Sequence, residues 1–152
     1  MIDSETKKIL EAPLPDWALK PHPAKKASDG KPMTVINPMA VIERLNEAFG
    51  VGTWNFATEY IQCVPFKQKT KNGERDVYMS AVKASISIPK WELYIEQYGG
   101  STNDDMGDAL KGGATDALTK IASYLGIGAS IYKGIREKKE FPAPGGNDDD
   151  DF

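Results

Sequence analysis

The chain has 152 residues, with 19 Lys plus Arg against 22 Asp plus Glu and a formal charge of −3. That is enough for one ordinary domain, and 40% hydrophobic residues exclude a fully disordered or collagen-like chain. No apolar run approaches the ~20 residues that span a bilayer, the opening MIDSETKKIL lacks the apolar core of a secretion signal, and a cytoplasmic location without membrane contact is expected. One cysteine, Cys63, and one histidine, His22, exclude an internal disulfide and argue against a Cys/His zinc site.

The charge is unevenly laid out. Asp148, Asp149, Asp150 and Asp151 stand together; without them the balance is 19 basic to 18 acidic. Residues 64–90 carry Lys67, Lys69, Lys71, Arg75, Lys83 and Lys90 against Glu74 and Asp76. Residues 91–108 carry only acids, and residues 111–139 return to bases with Lys111, Lys120, Lys133, Arg136, Lys138 and Lys139. Positive segments that folding brings together can bind a polyanion whatever the net charge.

In chain order, residues 1–34 hold five prolines (13, 15, 21, 23 and 32) and Lys20, Lys25, Lys26 and Lys31, which reads as an irregular, extended basic arm. A short helix over residues 4–11 is expected, with Ser4 as its cap. Asn37 as N-cap and Pro38 at the first helical position open a helix over 38–49, with Met39, Ile42, Leu45 and Phe49 at helical spacing and Gly50 as the stop.

Three strands follow. Residues 53–64 are rich in β-formers, residues 77–88 alternate, and Lys71-Asn72-Gly73 between them is a hairpin signal. Residues 91–98 alternate again after a turn at Pro89-Lys90, and Gly99-Gly100 is expected to break the pattern. Asn103, Asp104 and Asp105 offer caps for a second helix, whose apolar stripe is Leu110, Ala114, Ala117, Leu118, Ile121, Ala122 and Leu125. Gly112 and Gly113 lie inside that helix at ~1 kcal/mol each relative to alanine, which close packing against the sheet or a neighbour would offset. The fold class is α+β: a three-stranded antiparallel meander packed on a long helix. The domain reading is an arm over 1–34, a domain over 35–139, and a disordered acidic tail over 140–152.

The strings VIERLNEAFGVGTWNF and GDALKGGATDALTKIASYLGIG, with Pro15-Asp16-Trp17 upstream and Tyr98-Gly99-Gly100 closing the sheet, resemble the annealing domain of the Rad-fifty-two family of recombination proteins. The resemblance covers roughly residues 13–135. It implies a β-β-β-α core that assembles into rings or helical filaments, holds single-stranded DNA in a positive groove and anneals complementary strands in recombination or repair without nucleotide hydrolysis. No G-x-x-x-x-G-K-[ST] phosphate loop is present, in agreement. No cofactor, metal or enzymatic activity is then required. The resemblance points to a bacterial or phage-encoded, nucleoid-associated protein.

Carried over by position, the resemblance puts a groove base at Lys20, although Pro21 holds the strict position. It keeps Lys120 of a Lys-Arg pair whose first member is Thr119, and has Ser123 where a further arginine stands. The base of an outer site falls on Glu74, with Arg75 adjacent. Lys25, Lys26, Lys67, Lys69 and Lys71 are the candidates to compensate, and Lys111 and Lys133 complete the expected DNA-binding set. An annealer needs cations along the phosphates and free base edges. Trp17, Trp54, Trp91, Tyr60 and Tyr94 are therefore read as core or subunit-interface residues.

GGNDDDDF resembles the acidic tip of bacterial single-stranded DNA-binding proteins, without the penultimate proline. Asp148, Asp149, Asp150, Asp151 and Phe152 are accordingly expected to dock replication or recombination enzymes. The runner-up function is a protein that coats and protects single strands and recruits enzymes through that tip. Two further alternatives are a metal-dependent nuclease using Asp104, Asp105 and Asp108 and a ring-former whose partner is protein.

Overall fold

A computed structural model of the chain describes residues 1–134. Helix α1 (Ser4–Glu11) is capped by Asp3, whose carboxylate accepts from the Thr6 N–H at 2.7 Å. Ser4 was the expected cap; Asp3 takes the role because its oxygens reach both the N–H and the hydroxyl of Thr6. A 3-10 turn (Asp16–Ala18) leads into strand β1 (Leu19–Lys26), which pairs antiparallel with β2 (Pro32–Ile36). The stretch expected to be irregular is thus largely a helix and a hairpin. Its prolines are tolerated because a two-stranded sheet is all edge, and the register shifts between Pro21 and Lys26.

Helix α2 (Pro38–Phe49) forms as its sequence dictates, with the Asn37 side chain accepting from the Met39 N–H and Gly50 at φ 97° as the stop. The three-stranded sheet has order β3-β4-β5. β3 (Asn55–Thr70) and β4 (Gly73–Ile88) are both 16 residues long, joined by the Lys71-Asn72 turn. β5 (Leu93–Asn103) follows a 3-10 turn (Pro89–Trp91).

β5 runs through Gly99 and Gly100 rather than stopping there. The glycine is needed for an approach, not a break: a Cβ on Gly99 would overlap the Gly113 carbonyl oxygen and the Ala117 nitrogen of helix α3 (Met106–Tyr124). Gly113 faces Val82 and Ser80 across the same contact, and Gly112 faces Ser101. The small residues of α3 therefore seat it directly on β4 and β5, as the helix glycines led one to expect. In its first turns Ala109 and Gly113 are buried, whereas the expected Leu110 and Ala114 are half-buried. Volume explains the difference, because backbone this close to the sheet leaves no space for leucine.

Toward its C-terminus α3 meets the main core. Ala117, Leu118, Ile121, Ala122 and Leu125 pack with Val41 and Leu45 of α2, Ile86 and Ile88 of β4, Leu10 of α1 and Ile127. Each large side chain buried there contributes about 1.5–3 kcal/mol. Arg44 lies within this apolar face of α2, 9% exposed, and donates to the carbonyls of Ile9, Ala12 and Pro13 at the end of α1. A short helix α4 (Ala129–Tyr132) closes the described chain. No helix among the described residues is long and apolar enough to cross a membrane.

Candidate nucleic-acid interface

A groove of about 2520 Å³ runs between the β1–β2 hairpin on one side and α3, α4 and the end of β5 on the other. The second wall is polar: Gly100, Ser101 and Thr102 from β5, and Thr115, Asp116, Thr119, Lys120 and Ser123 from α3. The helix presents this stripe because its opposite face is committed to the sheet and core. The facing wall brings His22, Lys25 and Thr34, and α1 adds Lys7 and Glu11. Five bases (Lys7, Lys25, Arg75, Lys120 and Lys133) line the groove against three acids (Glu11, Asp16 and Asp116).

Four of the ten expected DNA-binding residues, Lys25, Arg75, Lys120 and Lys133, therefore share one groove. Lys20 and Lys26 belong to β1 but lie off the lining. Lys67, Lys69 and Lys71 stand at the β3–β4 hairpin end, where Lys67 pairs with Asp76 at 3.1 Å. Lys111 lies near the start of α3 and pairs with Asp108 at 2.6 Å, a partner that raises its pKa through hydrogen bond and charge. Asp105 caps α3 by accepting from the Asp108 N–H at 2.9 Å, so both acids have helix-end partners. Asp148, Asp149, Asp150, Asp151 and Phe152 lie outside the described residues.

Lys7 was missed. It sits in an ordinary lysine pair of a short helix, and only the docking of α1 brings it to the groove. His22 was also set aside. Its Nδ1 accepts from the Ala24 and Lys25 N–H groups at 3.0 and 2.9 Å, which fixes the backbone that carries Lys25. Burial first, then Lys25 and Lys20, hold the imidazole pKa below its ordinary value. Across the groove, burial raises the Tyr132 phenol, against a hydrogen bond from Thr119 that lowers it.

The aromatic residues divide. Trp54 and Trp91 pack on the core, and Trp54 Nε1 donates to Asn46 Oδ1 at 2.9 Å. Trp17, Tyr60 and Tyr94 are exposed instead. Along β3, Phe56, Tyr60, Ile61 and Phe66 are all exposed, because α3 covers β4 and β5 and scarcely reaches β3.

The family model described as Rad52/22 family double-strand break repair protein matches residues 5–142, nearly the whole chain. The chain belongs to the Rad52/22 family. No curated protein matches it in a direct comparison. Family membership places the chain among DNA-binding proteins of double-strand break repair and recombination, whose family-level activity is single-strand annealing. The α+β core, a three-stranded antiparallel sheet on a long helix, agrees with the fold expected from the sequence.

Proposed function

We propose that this Rad52/22-family chain binds single-stranded DNA in the groove between the β1–β2 hairpin and α3, and anneals complementary strands without nucleotide hydrolysis. The observation that carries this reading is the convergence of Lys7, Lys25, Arg75, Lys120 and Lys133 on one groove from five separate parts of the chain. Cations track the phosphates of a single strand. Among the described residues the lining holds two exposed tyrosines, Tyr124 and Tyr132, and no row of stacking rings, which leaves bases available to a second strand.

One groove offers few phosphate contacts, so several copies acting together strengthen the grip through effective concentration. The exposed apolar residues of β3 support a ring or filament built through that strand. The acidic run Asp148–Asp151 with Phe152 serves in this reading as a docking segment for replication or recombination enzymes in a bacterial or phage-infected cytoplasm, on the strength of its sequence alone.

The deciding experiment mixes two labelled complementary oligonucleotides with the full chain in nucleotide-free buffer. Duplex should form faster than without protein, and strand affinity should fall steeply as salt rises. Slower duplex formation with intact binding replaces annealing by strand coating. Absent binding at low salt removes the groove assignment.

A further inference from the structure

Asp116 engages both a lysine and a strand edge. Its Oδ2 accepts from Lys120 Nζ at 2.9 Å and from the Gly100 N–H at 3.0 Å. The same ammonium lies 3.5 Å from the Tyr98 carbonyl oxygen, and the Tyr98 N–H donates to Gln97 Oε1 at 3.2 Å. β5 is an outer strand, so these side chains occupy the edge that a further strand would otherwise use. The Asp116–Lys120 pair remains reachable from the groove, with side chains 37% and 41% exposed.

We propose that Asp116 holds Lys120 in reserve: a phosphodiester entering the groove takes the ammonium only by displacing this carboxylate, so Asp116 sets the affinity and salt response of the groove. The inference rests on the groove being the path of the strand. The Gly100 N–H makes the effect specific. A carboxylate tied only to its lysine would swing into solvent when phosphate arrived. Asp116 stays pinned to β5, and its negative charge remains beside the incoming anion. Once separated from Lys120, the carboxylate takes up a cation from solution, which cancels about one of the counterions that phosphate neutralisation releases.

The test compares four full-length proteins, wild type, Asp116→Asn, Lys120→Gln and the double variant, binding a labelled oligo-dT strand across a salt series. Asparagine keeps an acceptor for the Gly100 N–H, and matching denaturation midpoints establish an unchanged fold. Asp116→Asn is expected to bind about two- to five-fold tighter, the scale of one exposed ion pair, with a log–log salt slope steeper by about 0.7. In the Lys120→Gln background the same change should gain clearly less and leave the salt slope nearly unchanged, because only the repulsion by the pinned carboxylate is left to relieve and no ion pair is broken on binding. An equal gain in both backgrounds reduces the effect to general charge removal and overturns the proposal, as does Asp116→Asn binding no tighter than wild type. Wild-type protein that ignores the strand at low salt refutes the groove itself, an outcome separable from both.

Discussion

Arg44 Nη1 lies 2.9 Å from the carbonyl oxygen of Ile9, a residue 35 positions earlier. The same guanidinium also donates to Ala12 and Pro13, and so ties the last turn of α1 and the two residues that follow it to α2. A charged fork buried at 9% exposure is stable here because its donors meet carbonyl oxygens and Nε faces Glu47 at 3.7 Å. Arg44→Met is expected to lower stability by about 2–4 kcal/mol. Arg44→Lys should recover only part, since one ammonium cannot reproduce the fork. Urea midpoints of the two variants check the ranking; a lysine variant as stable as wild type would reduce Arg44 to a point charge.

Gly99 and Gly113 form a second long-range relationship, with unequal consequences. Gly99→Ala drives a methyl into the backbone of α3 and should cost about 3 kcal/mol or more, because backbone cannot turn aside. Gly113→Ala meets the Val82 and Ser80 side chains at 2.8 and 2.9 Å and gains about 1 kcal/mol of helix propensity, so its net cost is smaller. Chemical denaturation of both variants measures the order, and the reverse order would contradict the seating of α3 on β5.

His22 gives the hairpin a pH dependence of defined sign. Its folded pKa lies below the ordinary 6.5, so the unfolded chain binds the proton more readily. The contribution is fully present above pH 6.5 and is lost as pH falls from there through the lower folded value. Burial is the first cause, followed by the charges of Lys25 and Lys20; protonation would also occupy Nδ1, which accepts from Ala24 and Lys25. The protection of the Ala24 and Lys25 amides against exchange, corrected for the intrinsic pH dependence of exchange, should fall with pH in that interval for wild type. In His22→Gln, whose acceptor does not titrate, it should stay flat.

The two groups of lysines predict different binding losses. Lys25, Lys120 and Lys133 changed together to Gln should reduce the single-strand salt slope by about 1–2, as phosphate contacts disappear. Lys67, Lys69 and Lys71 changed together should weaken binding less, since none of the three lines the groove, which the β3–β4 hairpin reaches through Gln68 and Arg75. Fluorescence anisotropy across a salt series reads both. A larger loss from the hairpin set would move the strand's path onto β3 and β4.

The exposed apolar face of β3 makes a prediction about assembly. Tyr60 and Ile61 are 64% and 50% exposed, so changing both to Glu should alter the stability of a single copy by only about 0.5 kcal/mol each. Copies that meet through this strand would repel one another. Light scattering should report a smaller species for the variant than for wild type. An unchanged mass would place the contact between copies elsewhere.

Local physics made much of the fold readable. Asn37, Pro38 and Gly50 bound α2 because capping, a preset φ and a positive φ act within a few residues. The β4 alternation worked because period 2 is a property of the chain itself. Lys120 was singled out by the family resemblance rather than by spacing, and it stands on the α3 wall of the groove.

What sequence alone left undecided depends on partners distant along the chain. Nothing near Arg44 announces three carbonyls at the end of α1, and nothing near Lys7 announces a groove. Gly99 reads as a breaker until α3 lies across it. The β1–β2 hairpin was hidden because prolines suppress strand propensity, whereas pairing at an edge tolerates them. Residues close in sequence set the elements; the packing of α1, the hairpin and α3 decided which charges face one another, because Coulomb and hydrogen-bond energies depend on distance in space rather than along the chain.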